Sequence, residues 1–162
     1  MKAEEIVASL TAAGQHVATA ESLTGGLVCA ALIDPPGASE VVRGGIVAYQ
    51  PEMKSALLDV PSELIAERGT VCAEVATALA AGARREFDAD WGVSTTGVAG
   101  PGPSEGRAQG TVFVAVAGPD DVAIAEELHL PGDRKQVRSG AVDAALSLLG
   151  ARLREQAGSG PR

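Results

Sequence analysis

HVATAESLTGGLVCAALI, residues 16–33, joins a short run of strand composition, His16–Ala20, to an apolar run of helix composition, Leu27–Ile33. The junction between them, ESLTGG at 21–26, carries two hydroxyls and two glycines. A helix start needs one capping hydroxyl for its first amides, and each Gly inside a helix costs about 1 kcal/mol relative to Ala. A strand delivering the chain to a helix N-terminus, where amides and dipole converge, is the building unit of an α/β domain. Two readings of the surplus hydroxyl remain open. In one, Thr24 caps the helix, Ser22 caps loosely, and Gly25 and Gly26 serve close packing. In the other, Thr24 caps while Ser22 is held forward as a nucleophile. The glycines then clear the way to amides that receive a developing oxyanion.

Working outward, Ile6, Val7 and Leu10 follow helical spacing and Gly14 supplies a stop. Asp34-Pro-Pro-Gly37 ends the helix after Ile33, and Gly44–Tyr49 has the composition of a buried strand. Pro51 at a first helical position starts a short helix through Leu58, and Pro61 opens another that Gly69 stops. Val75, Leu79, Ala83 and Phe87 form one stripe of a helix over Ala73–Phe87. Trp91–Thr96 is a strand running into a Gly/Pro-rich loop over 97–106. Thr111–Ala117 and Val122–Leu130 are strands joined by the turn Gly118-Pro-Asp-Asp121, and Asp133 caps a long final helix. Strands alternating with helices and closed by one hairpin predict a three-layer α/β/α sandwich with a mixed, mostly parallel five-stranded sheet. One domain is expected over 1–155, with a flexible Gly/Ser/Pro-rich tail over 156–162.

Composition narrows the function classes. The chain has 162 residues and is 46% hydrophobic, yet Tyr49, Phe87, Trp91 and Phe113 are its only aromatics. The core must therefore be aliphatic, and a domain of this size buries about 70% of its unfolded surface without staples. A net charge of −8 argues against a nucleic-acid partner, because phosphate binding needs clustered Lys and Arg. No apolar run approaches the ~18 residues of a membrane span, and the N-terminal segment lacks the apolar stretch of a signal peptide. Cys29 and Cys72 lack CxxC spacing and read as buried small hydrophobes in a reducing compartment. A cytoplasmic protein without membrane contact is the expectation.

His16 and His129 stand far apart in predicted strands, without metal-ligand spacing or a setting for a Ser-His-Asp triad. The Gly-rich loop does not match GxGxxG, and Pro101 and Pro103 remove donors that a pyrophosphate would need. It does begin at a strand's C-terminal end, where open α/β sheets bind ligands, so ligand loop and plain connection both fit. A Ser nucleophile also needs a base. The chain has three lysines, Lys2, Lys54 and Lys135. Lys54 follows Tyr49 in AYQPEMK at a second strand-to-helix crossing. By position alone a solvated role is the usual one for a lone lysine on a short helix, and a base with a lowered pKa is the less common reading.

Several ordered segments resemble the CinA C-terminal domain family, the nicotinamide-nucleotide amidohydrolases. They are Ala20–Gly26, Gly44–Tyr49 with Lys54, Gly97–Pro101, Gly110–Phe113 and Gly132–Arg134. The resemblance implies an α/β/α sandwich that deamidates nicotinamide mononucleotide to the nicotinic acid form with release of ammonia. The family's catalytic residues fall on Ser22, Tyr49 and Lys54, with Lys54 as base and Tyr49 relaying or orienting the proton. The oxyanion and substrate contacts are expected at Thr24, Gly25 and Gly26. Further contacts are expected from Thr96, Gly97, Ala99 and Gly100, with Arg134 or Arg138 for the 5′-phosphate. The resemblance calls for no metal or cofactor and for a small pyridine nucleotide as partner. Ala-rich helices offer faces for a homo-oligomer. Two departures stand out: Gln50-Pro51 replaces the family's Ser-Asn, and the 102–109 loop lacks the usual Lys-Pro-Val. The competing class is a non-catalytic nucleotide-binding or assembly module, which would bind its ligand and release it unchanged; an amidase for another small amide would use the same residues.

Overall fold

Three strands expose almost no side chain, and they form the middle of the sheet. These are β1 (Val17–Glu21), β3 (Trp91–Gly97) and β4 (Thr111–Ala117), buried on both faces. The computed structural model describes residues 1–158. The edges are β2 (Val42–Val47) and β5 (Ala123–His129), in the order β2-β1-β3-β4-β5. Exposed Glu126 and Glu127 blunt the β5 edge against pairing with another chain. β1 runs parallel to both β2 and β3, while β4 is antiparallel to β3 and to β5. Four of the five strands therefore point the same way, and the sheet is mixed and mostly parallel as the sequence predicts.

Alternation along each strand divides the core. Val93, Val112, Val114 and Val116 pack with α1 (Ala3–Ala13), α2 (Leu27–Ile33) and α6 (Arg134–Gly158). Ala18, Ala20, Ala115 and Ala117 face the opposite layer, built around α5 (Ala73–Glu86). The short helices α3 (Pro51–Leu58) and α4 (Ser62–Arg68) pack on that side. The small residues let α5 lie close to the strands. A Cβ on Gly92 would meet the Ala80 carbonyl oxygen at 1.9 Å, and one on Gly82 the Leu58 carbonyl at 2.6 Å. The Ala-rich helix thus buries Ala76, Ala80 and Ala83 in the core, so this is not an exposed face.

Several boundaries differ from expectation by a residue or more. β1 runs one residue later than His16–Ala20 and so includes Glu21, while β2 begins at Val42 and ends before Tyr49. Helix α6 continues through Gly158, three residues into the stretch expected to be a tail. Gln156 and Ala157 are good helix formers, and Leu153 anchors the last turns in the core. The expected tail over 159–162 lies outside the described residues. At its start, Asp133 Oδ1 accepts from Gln136 N at 2.9 Å while Gln136 Oε1 accepts from Asp133 N at 2.9 Å, a reciprocal cap.

The topology places a crevice. After β1 the chain passes to α2 on one face, and after the neighbouring parallel strand β2 it passes to α3 on the other. Adjacent strands that exit to opposite faces leave an opening at their C-terminal ends. No helix among the described residues is long and apolar enough to cross a membrane, and Cys29 and Cys72 are free thiols. The α5–β3 approach is testable. Gly92→Ala forces rigid backbone apart and should lower stability by about 3 kcal/mol in urea denaturation, or roughly 6–12 °C in Tm. An unchanged unfolding midpoint would show that the layers are not in such close contact.

Candidate functional site

Glu21, not Thr24, caps the helix that follows β1. Its side chain is 1% exposed. The carboxylate accepts from the backbone N–H groups of Gly26 at 3.0 Å, Val28 at 3.1 Å and Cys29 at 2.8 Å. Thr24 Oγ1 donates to it at 2.5 Å and Thr19 Oγ1 at 3.3 Å. A carboxylate at a helix N-terminus satisfies both the free amides and the dipole. The Thr24 hydroxyl also lies 2.8 Å from Thr95 Oγ1, so it ties β1, the turn and β3 together. The glycines answer a backbone demand: Gly25 has φ 61° and Gly26 φ 99°, in the left-handed region that disfavours side chains.

Three residues expected at the substrate are engaged elsewhere by the same geometry. The Gly25 amide donates to Ser22 O at 3.1 Å and the Gly26 amide to Glu21, so both are committed within the turn. Arg138 reaches across from α6 and donates from Nε to Leu23 O at 2.8 Å and from Nη2 to Thr24 O at 3.2 Å. It braces the turn from behind, away from the cleft that Ser22 faces.

The second crossing brings the base candidate to Ser22. Extended Gln50 and Pro51 at the first helical position start α3, and Lys54 projects back from its first turn. Lys54 Nζ lies 3.0 Å from Ser22 Oγ, 2.6 Å from Ala48 O and 3.4 Å from Tyr49 O. Lys54 is 1% exposed, and burial lowers its pKa to about 8 while the Glu105 carboxylate draws it back up. Tyr49 is 58% exposed, and its phenol oxygen lies 3.3 Å from Arg134 Nη2 at the rim. Its backbone carbonyl, rather than its phenol, holds Lys54. The amine contacts Ser22 directly, which removes the need for a phenolic relay.

Above this pair lies an open cleft of about 270 Å³, lined by Ser22, Tyr49, Thr70, Arg134 and the 97–105 loop. Gly97, Ala99 and Gly100 line it as expected. Thr96 does not, because its buried hydroxyl donates to Thr70 O at 2.7 Å. Gly97 is glycine for packing reasons, since a Cβ there would meet Thr111 O at 2.7 Å. Arg134 donates from Nη1 to Gly100 O at 2.8 Å, which holds its exposed guanidinium at the mouth. Glu105 accepts from Thr70 N at 2.7 Å and Thr70 Oγ1 at 2.9 Å, docking the loop on the opposite wall.

Sequence reasoning missed Glu21, Thr70 and Glu105. A charged residue ending an otherwise apolar strand was the available sign for Glu21. Thr70 and Glu105 sit in irregular segments without a periodic pattern. Among the described residues, no three His, Cys, Asp or Glu side chains stand close enough to hold a metal ion.

Comparison with known proteins follows the same outline. A family model described as the CinA C-terminal domain matches residues 1–153. CinA-like proteins of Anaeromyxobacter sp. (strain Fw109-5) and Frankia casuarinae are 48% identical over 150 residues and 47% over 133 residues. The alignments cover 92% and 82% of this chain but 36% and 30% of those proteins. The chain thus spans about a third of the length of the curated relatives it matches. Among solved structures, competence/damage inducible protein CihA from Agrobacterium tumefaciens is similar at TM-score 0.89 and 34% identity, covering 94% of this chain and 93% of that one. A CinA superfamily protein from Klebsiella pneumoniae 700603 is similar at TM-score 0.89 and 28% identity, covering 96% and 99%.

The Glu21 network predicts a large effect from a small change. Glu21→Gln turns an NH₂ group toward donors and should cost about 3 kcal/mol in denaturant unfolding. A loss below about 0.5 kcal/mol would contradict its capping role.

Proposed function

The chain belongs to the CinA C-terminal domain family, and from that premise we propose that it is an amidohydrolase acting on nicotinamide mononucleotide. It releases ammonia and leaves nicotinic acid mononucleotide. The observation that carries this reading is the buried Lys54 amine 3.0 Å from Ser22 Oγ at the floor of the cleft.

A neutral amine has two N–H bonds and one lone pair. The carbonyls of Ala48 and Tyr49 accept the two N–H groups, which turns the lone pair toward the Ser22 hydroxyl. Lys54 takes that proton as Ser22 Oγ bonds to the carboxamide carbon. The tetrahedral intermediate collapses, the C–N bond breaks, and the Lys54 ammonium protonates the departing nitrogen, which leaves as ammonia. Water then attacks the acyl-enzyme with Lys54 again as base, and the carboxylic acid product and the Ser22 hydroxyl are restored. Because Gly25 and Gly26 are committed, the oxyanion falls to other backbone donors around the cleft. Leu23 is the first choice, because its amide follows the nucleophile in the chain. Arg134 at the rim receives the 5′-phosphate, with Tyr49 as its neighbour.

Both departures from the family pattern fall beside this machinery. Pro51 starts the helix that carries Lys54, and the altered loop is docked through Glu105. Another small amide would be cleaved by the same residues, so simple amides belong beside pyridine nucleotides in the assay.

Ammonia release from nicotinamide mononucleotide should fall at least ~10³-fold in Ser22→Ala and in Lys54→Met. A wild-type rate in Ser22→Ala would end the assignment. Lys54 acts only as the neutral amine, and burial sets its pKa at about 8. kcat/KM should therefore rise with pH through about 8 and level off above it. A profile flat from pH 6 to 10 would remove Lys54 as the base.

A further inference from the structure

The loop over 98–110 roofs the cleft, and a single side chain ties it to the far wall. Glu105 has φ 51°, a left-handed conformation uncommon for a residue other than glycine. In it, both carboxylate oxygens are engaged by Thr70, one by the amide at 2.7 Å and one by the hydroxyl at 2.9 Å. The receiving wall is shaped to match. Thr96 on β3 fixes the Thr70 carbonyl at 2.7 Å. A Cβ on Gly69 (φ 72°) would lie 2.7 Å from Glu105 Oε2, so glycine there admits the carboxylate. The same carboxylate is the charge that acts on Lys54.

The neighbouring cations are turned elsewhere. Arg134 holds Gly100 and Tyr49 on the opposite rim. Arg107 lies over the Phe113 ring at 5.8 Å and 3.9 Å from Glu127, and Arg68 pairs with Glu74 at 3.0 Å. Among the described residues, Glu105 has no arginine partner.

We propose that Glu105 is a positioning residue for the hydrolysis described above, on which this inference rests. By clamping Thr70 it holds the 98–110 loop over the cleft that Ser22 lines. Glu105 exchanges no proton. It favours the Lys54 ammonium that forms when the Ser22 proton is taken, and it fixes the roof against which the substrate binds.

The test uses Glu105→Gln and Thr70→Val in the full chain. Only Lys54 of the three lysines is buried, so its titration is resolved by NMR of labelled lysine. The midpoint should move to lower pH in Glu105→Gln, which removes the charge, and move less far in Thr70→Val, which loosens the clamp but keeps the charge. Hydrogen exchange over 98–110 should quicken about tenfold in both variants, with β1 and β3 unchanged. KM for nicotinamide mononucleotide should rise about tenfold in Glu105→Gln with a smaller change in kcat. An unmoved Lys54 midpoint together with unchanged loop exchange overturns the proposal. The NMR and exchange readouts need no turnover. An inactive wild type would therefore end the hydrolase reading, while these two measurements would still decide the clamp and the charge. An active wild type with Glu105→Gln kinetically unchanged overturns the role of Glu105 alone.

Discussion

A carboxylate buried at the start of a helix governs the geometry around it. Glu21 gathers three amides and two hydroxyls, and a desolvated acceptor of this kind is tolerated only when its donors surround it. The demand bends the 22–26 turn back over the end of β1 and requires left-handed backbone at Gly25 and Gly26. It also lifts Ser22 out of the strand toward the cleft. The helix dipole, which a ligand would otherwise meet, is already answered by the protein's own charge. Arg134 stands at the opposite rim, bonded to the Gly100 carbonyl and the Tyr49 phenol.

The second constraint is that Lys54 is buried beside a hydroxyl and, among the described residues, with no carboxylate in direct contact. Burial disfavours its ammonium, and the Ala48 and Tyr49 carbonyls orient what remains. Strand order makes this pairing. Since β1 lies between β2 and β3, the ends of β1 and β2 are neighbours, and residues 32 positions apart meet at hydrogen-bond distance. The 98–110 loop completes the enclosure from β3. Its prolines and glycines resemble a nucleotide loop, yet it works as a roof held by Glu105, Gln109 and Arg134 rather than as a bed of free amides.

Much of this was legible beforehand. The periodic stripe of Ala73–Phe87, the Asp133 cap and the turn chemistry at Gly118–Asp121 each follow from local rules, and the structure keeps all three. Ser22, Lys54 and Arg134 were named from the residues and the family resemblance, and the fold brings Ser22 and Arg134 to one cleft with Lys54 buried against Ser22. The errors share a cause. Thr24 as the cap, free amides at Gly25 and Gly26, and Thr96 and Arg138 at the cleft all required knowing which partners the fold had already supplied. A one-residue shift in β1 placed Glu21 on the strand's end, facing the helix amides, and left Thr24 as a donor to it.

By itself, the sequence determined the alternation of strands and helices, the aliphatic core and the presence of a hydroxyl and a lysine at two strand-to-helix crossings. These rest on periodicity, capping and backbone preference, which act over a few residues. Tertiary structure alone decided which donors were already taken, that Lys54 is buried against Ser22, and that Glu105 locks onto Thr70 across 35 positions of chain. Hydrogen-bond satisfaction and desolvation depend on everything that packs around a group, and no local pattern encodes that.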